Sequence, residues 1–305
     1  VTHQYDIPVP HFNKTRFAPT PSGYLHLGNV LSFAITAMLA KKTGAKILLR
    51  IDDLDRDRIN TVFVQDIFDT LDFMGIPWDE GPRDFKEYGQ EWSQLHRMDI
   101  YRKALQQLRD TGAVFACSCS RAQIRAISPD DTYPGTCRDK QIPLNQPDVT
   151  WRLKTDELEK LNIKTYPSKI TSTVLPTTMR DFVLRKKDGY PAYQLASLLD
   201  DVHFGVDLIV RGEDLWPSTL AQHYLSGCLG ADAFRDSTFY HHPLLMAQEN
   251  AKLSKSAGAT SVRYLRQACK KPGDIYTAIA GMLGFKQPVT CWQELAGLVI
   301  TDNPL

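Results

Sequence analysis

Two short segments, far apart in the chain, carry groups suited to holding a polyphosphate. The first is Pro19-Thr20-Pro21-Ser22-Gly23-Tyr24-Leu25-His26-Leu27-Gly28-Asn29. It places a Pro/Gly turn, an imidazole and a glycine where a strand gives way to an apolar helix. A helix N-terminus presents free N–H groups and partial positive charge, so it favours an anion, and Gly28 lets a nucleotide approach the backbone closely. The same residues equally describe a helix-capping turn with an incidental histidine. The second segment is Lys252-Leu253-Ser254-Lys255-Ser256. Its two ammonium groups suit the charge of a departing pyrophosphate, and alone they also describe a solvated loop.

A third group of residues has metal-ligand chemistry. Cys117-Ser118-Cys119 is followed by Tyr133-Pro134-Gly135-Thr136-Cys137. Three thiolates suit Zn²⁺, but C-x-C is tighter than the usual spacing and the spacing alone leaves the fourth ligand open. Small buried cysteines are the alternative. Cys228, Cys269 and Cys291 are scattered and read as packing residues, and the six cysteines form no disulfide framework.

The elements that must position these groups follow from hydrophobic patterning. Lys14–Ala18 is a strand candidate, and the helix from Leu27 to Lys42 is apolar nearly all round, which suits burial against a sheet. Ala45–Ile51 reads as a buried parallel strand releasing charge at Arg50, Asp52, Asp53 and Asp55. Helical faces follow at Phe63–Met74 and Leu95–Leu108, each stopped by glycine. Residues 113–179 lose this periodicity and read as an insertion. Strand–helix alternation returns with Asp181–Arg185, a helix around Gln194–Leu199, Asp207–Val210, Thr219–Leu229 and Phe239–Leu245. The pattern predicts an α/β doubly wound parallel sheet, split into 14–112 and 180–256 around the inserted 113–179, with a short helical extension over 257–305. Ligands of such sheets sit beyond the carboxyl ends of the strands, where Arg16, Asp52, Asp53, Arg211, Glu213 and Asp214 are released.

With 43% hydrophobic and 23% charged residues and a net charge of +1, the chain reads as an ordinary globular protein. It shows neither a membrane span nor a signal-peptide pattern, so a cytoplasmic location with no membrane partner is expected; a monomer is expected separately. A nucleic-acid partner would have to be met by local patches: Arg185-Lys186-Lys187, or Arg263, Arg266, Lys270 and Lys271, which otherwise are solvated faces.

Taken together the segments resemble the class I aminoacyl-tRNA synthetases. His26-Leu27-Gly28-Asn29 stands in the H-I-G-H position and Lys252-Leu253-Ser254-Lys255-Ser256 in the K-M-S-K-S position. Thr15-Arg16-Phe17-Ala18-Pro19-Thr20-Pro21-Ser22-Gly23, Arg50-Ile51-Asp52-Asp53 and Val210-Arg211-Gly212-Glu213-Asp214-Leu215 narrow the likeness to the glutamyl catalytic domain. The resemblance implies a Rossmann-like fold with an inserted zinc-containing subdomain. It implies activation of L-glutamate by ATP with Mg²⁺ to glutamyl-adenylate, then transfer to a nucleic-acid hydroxyl. Arg16, Phe17, Ala18, Pro19, Thr20, Asp52, Tyr193 and Arg211 fall on glutamate-binding positions: Arg16 and Arg211 on carboxylates, Asp52 on the ammonium. His26, Gly28, Asn29, Lys252 and Lys255 fall on the ATP site. Asn29 departs from the second His of the signature, and Asp52 is one methylene shorter than the Glu often found there. Asp also occurs there in the glutaminyl enzymes, and the two arginines favour glutamate.

Shortened paralogues carry the C-x-C…Y-x3-C arrangement, which implies one structural Zn²⁺ on Cys117, Cys119, Tyr133 and Cys137. Residues 257–305 are too few for an anticodon-reading domain. The resemblance therefore points to the glutamyl-queuosine tRNA(Asp) synthetase subgroup, whose members attach glutamate to queuosine in the tRNA(Asp) anticodon stem-loop. A glutamyl- or glutaminyl-tRNA synthetase fragment and a catalytically silent tRNA-binding paralogue are the alternatives.

Overall fold

The computed structural model describes residues 9–130, 132–156, 158–245 and 261–302. Strands β1 (Lys14–Phe17) and β2 (Lys46–Leu49) pair in parallel around helix α1 (Leu27–Thr43). Helix α2 (Thr61–Met74) follows, then the single turn α3 (Phe85–Glu87), α4 (Met98–Asp110), β3 (Val114–Cys117) and α5 (Arg121–Ile127). Next come β4 (Thr150–Leu153), the hairpin β5 (Lys160–Thr165) and β6 (Lys169–Val174), and β7 (Val183–Arg185). Helix α6 (Tyr193–Phe204), β8 (Leu208–Gly212), α7 (Trp216–Leu229), the short α8 (Asp232–Arg235) and β9 (Thr238–His242) complete the sheet. Helices α9 (Val262–Gln267), α10 (Pro272–Met282) and α11 (Trp292–Asp302) follow.

β8 and β9 are parallel, β9 pairs in parallel with β5, and β6 closes that edge antiparallel. β1 lies beside β8. Asp207 N–H donates to the Lys14 carbonyl (3.1 Å), and the Asp207 carboxylate accepts from the Asn13 and Lys14 amides. The spatial order is therefore β2-β1-β8-β9-β5-β6. The sheet is mixed, not wholly parallel as the sequence pattern predicts. The cause is the β5–β6 hairpin, whose alternating burial marks a sheet edge with one wet face.

The period of two in the strands divides the core between both faces of this sheet. Ile47, Leu49, Leu208 and Val210 pack with α1, α2, α10 and α11, whereas Leu48 and Ile209 pack with α4, α6 and α7. α1 is buried almost all round because α11 covers the side turned away from the sheet. Helices α9, α10 and α11 all lie within residues 257–305.

The segment 113–179 divides between two sheets. β3, β4 and β7 form a separate antiparallel sheet, joining residues from both sides of position 179, while β5 and β6 extend the main sheet. A small cluster of Phe115, Cys117, Ile124, Tyr133 and Cys137 has its own core. No described helix is long and apolar enough to cross a membrane.

Candidate active site

A cavity of about 480 Å³ opens at the carboxyl ends of β1, β8 and β9. Arg16 and Arg211 come from β1 and β8, Tyr193 from the first turn of α6, and His26 and Asn29 from the start of α1. Phe17, Ala18, Pro19 and Gly28 also line it. Thr20 and Asp52 are not among the lining residues.

The turn before α1 is built by its own side chains. His26 is the N-cap: its Nδ1 accepts from the Gly28 amide (3.1 Å), and the Asn29 side-chain oxygen accepts from the His26 amide (3.0 Å). This is a capping box with unusual residues, and Asn29 earns its place within it as the third helical residue. A Cβ on Gly28 would stand 3.0 Å from His26 Cε1, so the glycine is what lets the imidazole fold back over the helix start. With Nδ1 accepting, the neutral ring carries its proton on Nε2, a donor. The capping reading and the anion-site reading are therefore compatible.

The two arginines differ in electrostatic standing. Arg16 Nε donates to Asp201 Oδ1 (2.8 Å) and its Nη1 to the Val210 carbonyl (3.1 Å). The same Asp201 oxygen accepts from Arg50 Nη1 (2.7 Å), and the other edge of Arg50 grips both oxygens of Asp52 (2.7 and 3.0 Å). Asp52 is thus turned onto Arg50 beneath the cavity. Burial raises its pKa, opposed by Arg50. Farther in, Asp200 accepts from Arg97 (2.8 and 3.0 Å), Tyr101 and Gln94, and Asp53 pairs with Arg56 and accepts from Tyr88 and Ser93.

Arg211 has no such acid. It is 3% exposed, and only its Nη1 is engaged, donating to Gln222 Oε1 (2.9 Å) and Thr219 Oγ1 (3.4 Å). Its Nε and Nη2 have no hydrogen-bond partner among the described residues. Burial, with nearby Arg16, lowers its pKa to about 10 despite the opposing influence of Tyr193. Arg16, Arg50, Arg56 and Arg97 are each hydrogen-bonded or ion-paired to Asp52, Asp53, Asp200 or Asp201, whereas Arg211 has no acid bonded to it among the described residues, and Asp214 is the acid that lines the cavity with it. Arginine is the donor best shaped to meet a carboxylate with two parallel bonds.

Lys252 and Lys255 lie outside the described residues. The flanks of their segment are both at the cavity: Leu244 and Leu245 line it, and Ser261 bridges to His26 while Val262 N–H donates to the Leu25 carbonyl (2.8 Å).

The cluster on β3 is separate. Sγ of Cys117, Cys119 and Cys137 lie within 4.8 Å of one another, with Cys119 and Cys137 at 3.5 Å. The Tyr133 hydroxyl sits among them, accepting from the Cys137 amide (2.8 Å) beside Cys117. Burial alone would push the Cys137 thiol up, but the Ser118 amide and the neighbouring thiols bring it down to about 7. Three convergent sulfurs and one oxygen fit a tetrahedral Zn²⁺. The basic run nearby is partly tied down: Arg185 stacks on Trp151, Lys186 donates to the Leu54 carbonyl and Lys187 to that of Ser118.

Over residues 13–284 the chain matches the class I tRNA synthetases (E and Q), catalytic domain. The chain belongs to that family. This is a family of ligase-type enzymes, and relatives of two kinds resemble the present member. A glutamyl-Q tRNA(Asp) synthetase of Symbiobacterium thermophilum is 34% identical over 285 residues, covering 88% of this chain and 86% of its own. A glutamate–tRNA ligase of Anaeromyxobacter sp. (strain K) is 32% identical over 260 residues, covering 83% of this chain and 54% of its own. The chain thus spans about half the length of such ligases. Among solved structures, the glutamate-tRNA synthetase of Elizabethkingia anophelis superposes with a TM-score of 0.73 at 25% identity, over 93% of this chain and 65% of that one. The class I synthetase fold is mixed α/β, as observed here.

Sequence reasoning missed Asp200, Asp201, Gln222 and His242. The signal for the acids was present: two aspartates in the otherwise apolar α6, a helix buried on both sides, have to be paired.

Proposed function

We propose that this synthetase-family protein activates L-glutamate with ATP and Mg²⁺ to glutamyl-adenylate, then transfers the glutamyl group to queuosine in the anticodon loop of tRNA(Asp). The observation that carries the amino-acid choice is Arg211, a buried guanidinium with two unpartnered nitrogens and no acid. Two unpartnered guanidinium nitrogens suit a side-chain carboxylate, which glutamate has and glutamine does not. One carboxylate meets Arg211, and Arg16, held by Asp201, presents its remaining N–H groups to the other. Tyr193 closes the mouth. Asp52 lies one layer below, so an ammonium reaches it only through the carboxylate lone pairs that Arg50 leaves open.

The reaction needs no protein nucleophile. The α-carboxylate oxygen attacks the α-phosphorus, pyrophosphate leaves, and a hydroxyl of the modified base then attacks the glutamyl carbonyl carbon and displaces AMP. Positioning and charge stabilisation supply the acceleration. The α1 N-terminus with the His26 Nε2 donor meets the phosphates, and Lys252 and Lys255 neutralise the departing pyrophosphate. Zn²⁺ on Cys117, Cys119, Cys137 and Tyr133 would fix the β3 loop as a structural ion.

The acceptor rests on likeness to the glutamyl-Q tRNA(Asp) synthetases, matched over most of their length. An unstacked loop base entering the cleft agrees with how proteins read single-stranded RNA. The test is incubation with ATP, labelled glutamate and either whole tRNA(Asp), a queuosine-bearing anticodon stem-loop, or tRNA(Asp) lacking its 3′ nucleotides. All three should accept glutamate, and RNA lacking queuosine should not. Loss of charging on 3′ trimming would assign 3′-end aminoacylation instead.

A further inference from the structure

At the β9 edge of the cavity stands a further residue, His242. β9 ends at His242, which faces Gly212 in parallel register with β8 and lines the cavity. His242 is 4% exposed. Its Nδ1 lies 2.9 Å from the Pro243 carbonyl oxygen. A carbonyl only accepts, so Nδ1 carries the proton and Nε2 of the neutral ring is a bare lone pair. Nε2 has no hydrogen-bond partner among the described residues. Burial lowers the His242 pKa, opposed by Asp214 and Glu213, and this favours the neutral ring.

The surroundings select what that lone pair can meet. A Cβ built on Gly212 would lie 2.7 Å from Asp214 Oδ1, 2.9 Å from Leu244 Cδ2 and 3.7 Å from His242 Cε1. The missing side chain therefore lets the Asp214 carboxylate and Leu244 close against the strand end beside the His242 ring, so that an acid and an imidazole acceptor stand together on this wall of the cavity. Two acceptors do not suit a phosphate or a carboxylate, which the helix N-terminus and the arginines already serve. They suit a neutral group that donates, and a vicinal diol offers two O–H donors side by side. Acids at the carboxyl ends of such strands are known partners of ribose hydroxyls.

We propose that His242 binds the ribose of the nucleotide, accepting a hydroxyl proton at Nε2. The inference rests on the adenylation reading above, and it makes His242 a nucleotide-specificity residue at the β8–β9 edge. His242→Phe keeps a flat ring without the acceptor, His242→Leu removes both, and His242→Gln restores an acceptor oxygen. Pyrophosphate exchange is measured with ATP, 2′-deoxy-ATP and 3′-deoxy-ATP, and binding of the same nucleotides by calorimetry.

The wild-type protein should prefer ATP over one deoxy analogue by about tenfold, the scale of one net hydrogen bond. That preference should fall to within about twofold in His242→Phe and His242→Leu and return in His242→Gln, with the KM for glutamate unchanged throughout. An analogue preference undiminished in the Phe and Leu variants would overturn the proposal. So would a rise in glutamate KM at constant ATP affinity, which would put the acceptor on the amino acid. A wild-type protein that binds ATP yet exchanges no pyrophosphate would sink the adenylation reading, while the calorimetric ratio still decides His242.

Discussion

Replacing Arg211 by methionine, a side chain of similar reach without charge, separates two consequences of leaving a guanidinium buried and unpaired. Burial lowers its pKa from the ordinary arginine range to about 10. The linkage sign for a base so lowered is that folding is penalised wherever both states are charged. The penalty is therefore complete below about pH 10 and is relieved as pH rises above it towards the ordinary arginine range. At neutral pH it amounts to about 3 kcal/mol, taking about 1.4 kcal/mol per pH unit. Methionine removes this cost and loses the bond to Gln222, about 1 kcal/mol, with a further penalty of similar size for the orphaned Gln222 oxygen. The ligand-free variant should melt no lower than the wild type, and up to a few degrees higher. Binding responds in the opposite sense. Without its desolvated partner a glutamate carboxylate loses a charge-assisted contact of about 2–4 kcal/mol, so glutamate KM in pyrophosphate exchange should rise roughly 30- to 1000-fold. The assay is a thermal melt with glutamate or glutamine, paired with exchange kinetics. The wild type should be stabilised by glutamate and not by glutamine, and Arg211→Met by neither. A variant that melts several degrees lower while keeping its glutamate response would refute the charge accounting.

Lys255→Ala should cut pyrophosphate exchange by about ten- to a thousandfold with little change in glutamate affinity, the scale of losing one contact to developing charge; unchanged exchange would remove that loop from the mechanism. Freshly prepared, reduced protein should contain about one Zn per chain, and a strong chelator should raise hydrogen exchange around Cys117–Cys137 while sparing β1, β8 and β9; metal near zero would sink the ligand set. Burial pushes the pKa of Asp200 up, but Arg97, Arg50 and Tyr101 outweigh it and hold the value below the ordinary one. An acid so lowered stabilises the fold above its unfolded pKa and loses that contribution as pH falls through the folded value. Asp200→Asn should therefore cost about 3–5 kcal/mol at pH 7 in urea unfolding, and the gap to wild type should shrink below about pH 4; a gap independent of pH would contradict the ionic account.

What the sequence made legible was local. The strand at Lys14, the apolar helix ending at Gly44 and the charge released after Ile51 all stand where patterning put them, because burial and capping act within a turn or two. Arg16, Arg211, Tyr193 and His26 do share one cavity. Asp52 illustrates what patterning cannot reach. A carboxylate at a strand end serves a ligand or a neighbour depending on what stands opposite, and here Arg50, two residues before it, takes both oxygens. That Asp201 had to be paired was legible, but not with what, since its partners Arg16 and Arg50 lie far away in the chain. α11 lacked a sharp amphipathic stripe because it packs between α1 and α10.

The seam between β1 and β8 bears on how the molecule comes to be made. Asn13 and Lys14 are held by Asp207, so the middle of the sheet joins residues separated by 194 and 193 positions. Contacts of such range form late, because the whole intervening chain must first be confined. During synthesis β1 and β2 leave the ribosome as a two-stranded ribbon whose open edge waits for β8. Over that interval Phe17, Ile47 and Leu49 have α1 and α2 on one side, but the edge of β1 turned away from β2 has no strand beside it. A nascent chain halted before Leu208 is therefore a species with an unsatisfied central edge, the kind that chaperones retain and that aggregates when they do not. Translation speed through β8 should govern the yield of folded protein more than speed anywhere in α1 or α2.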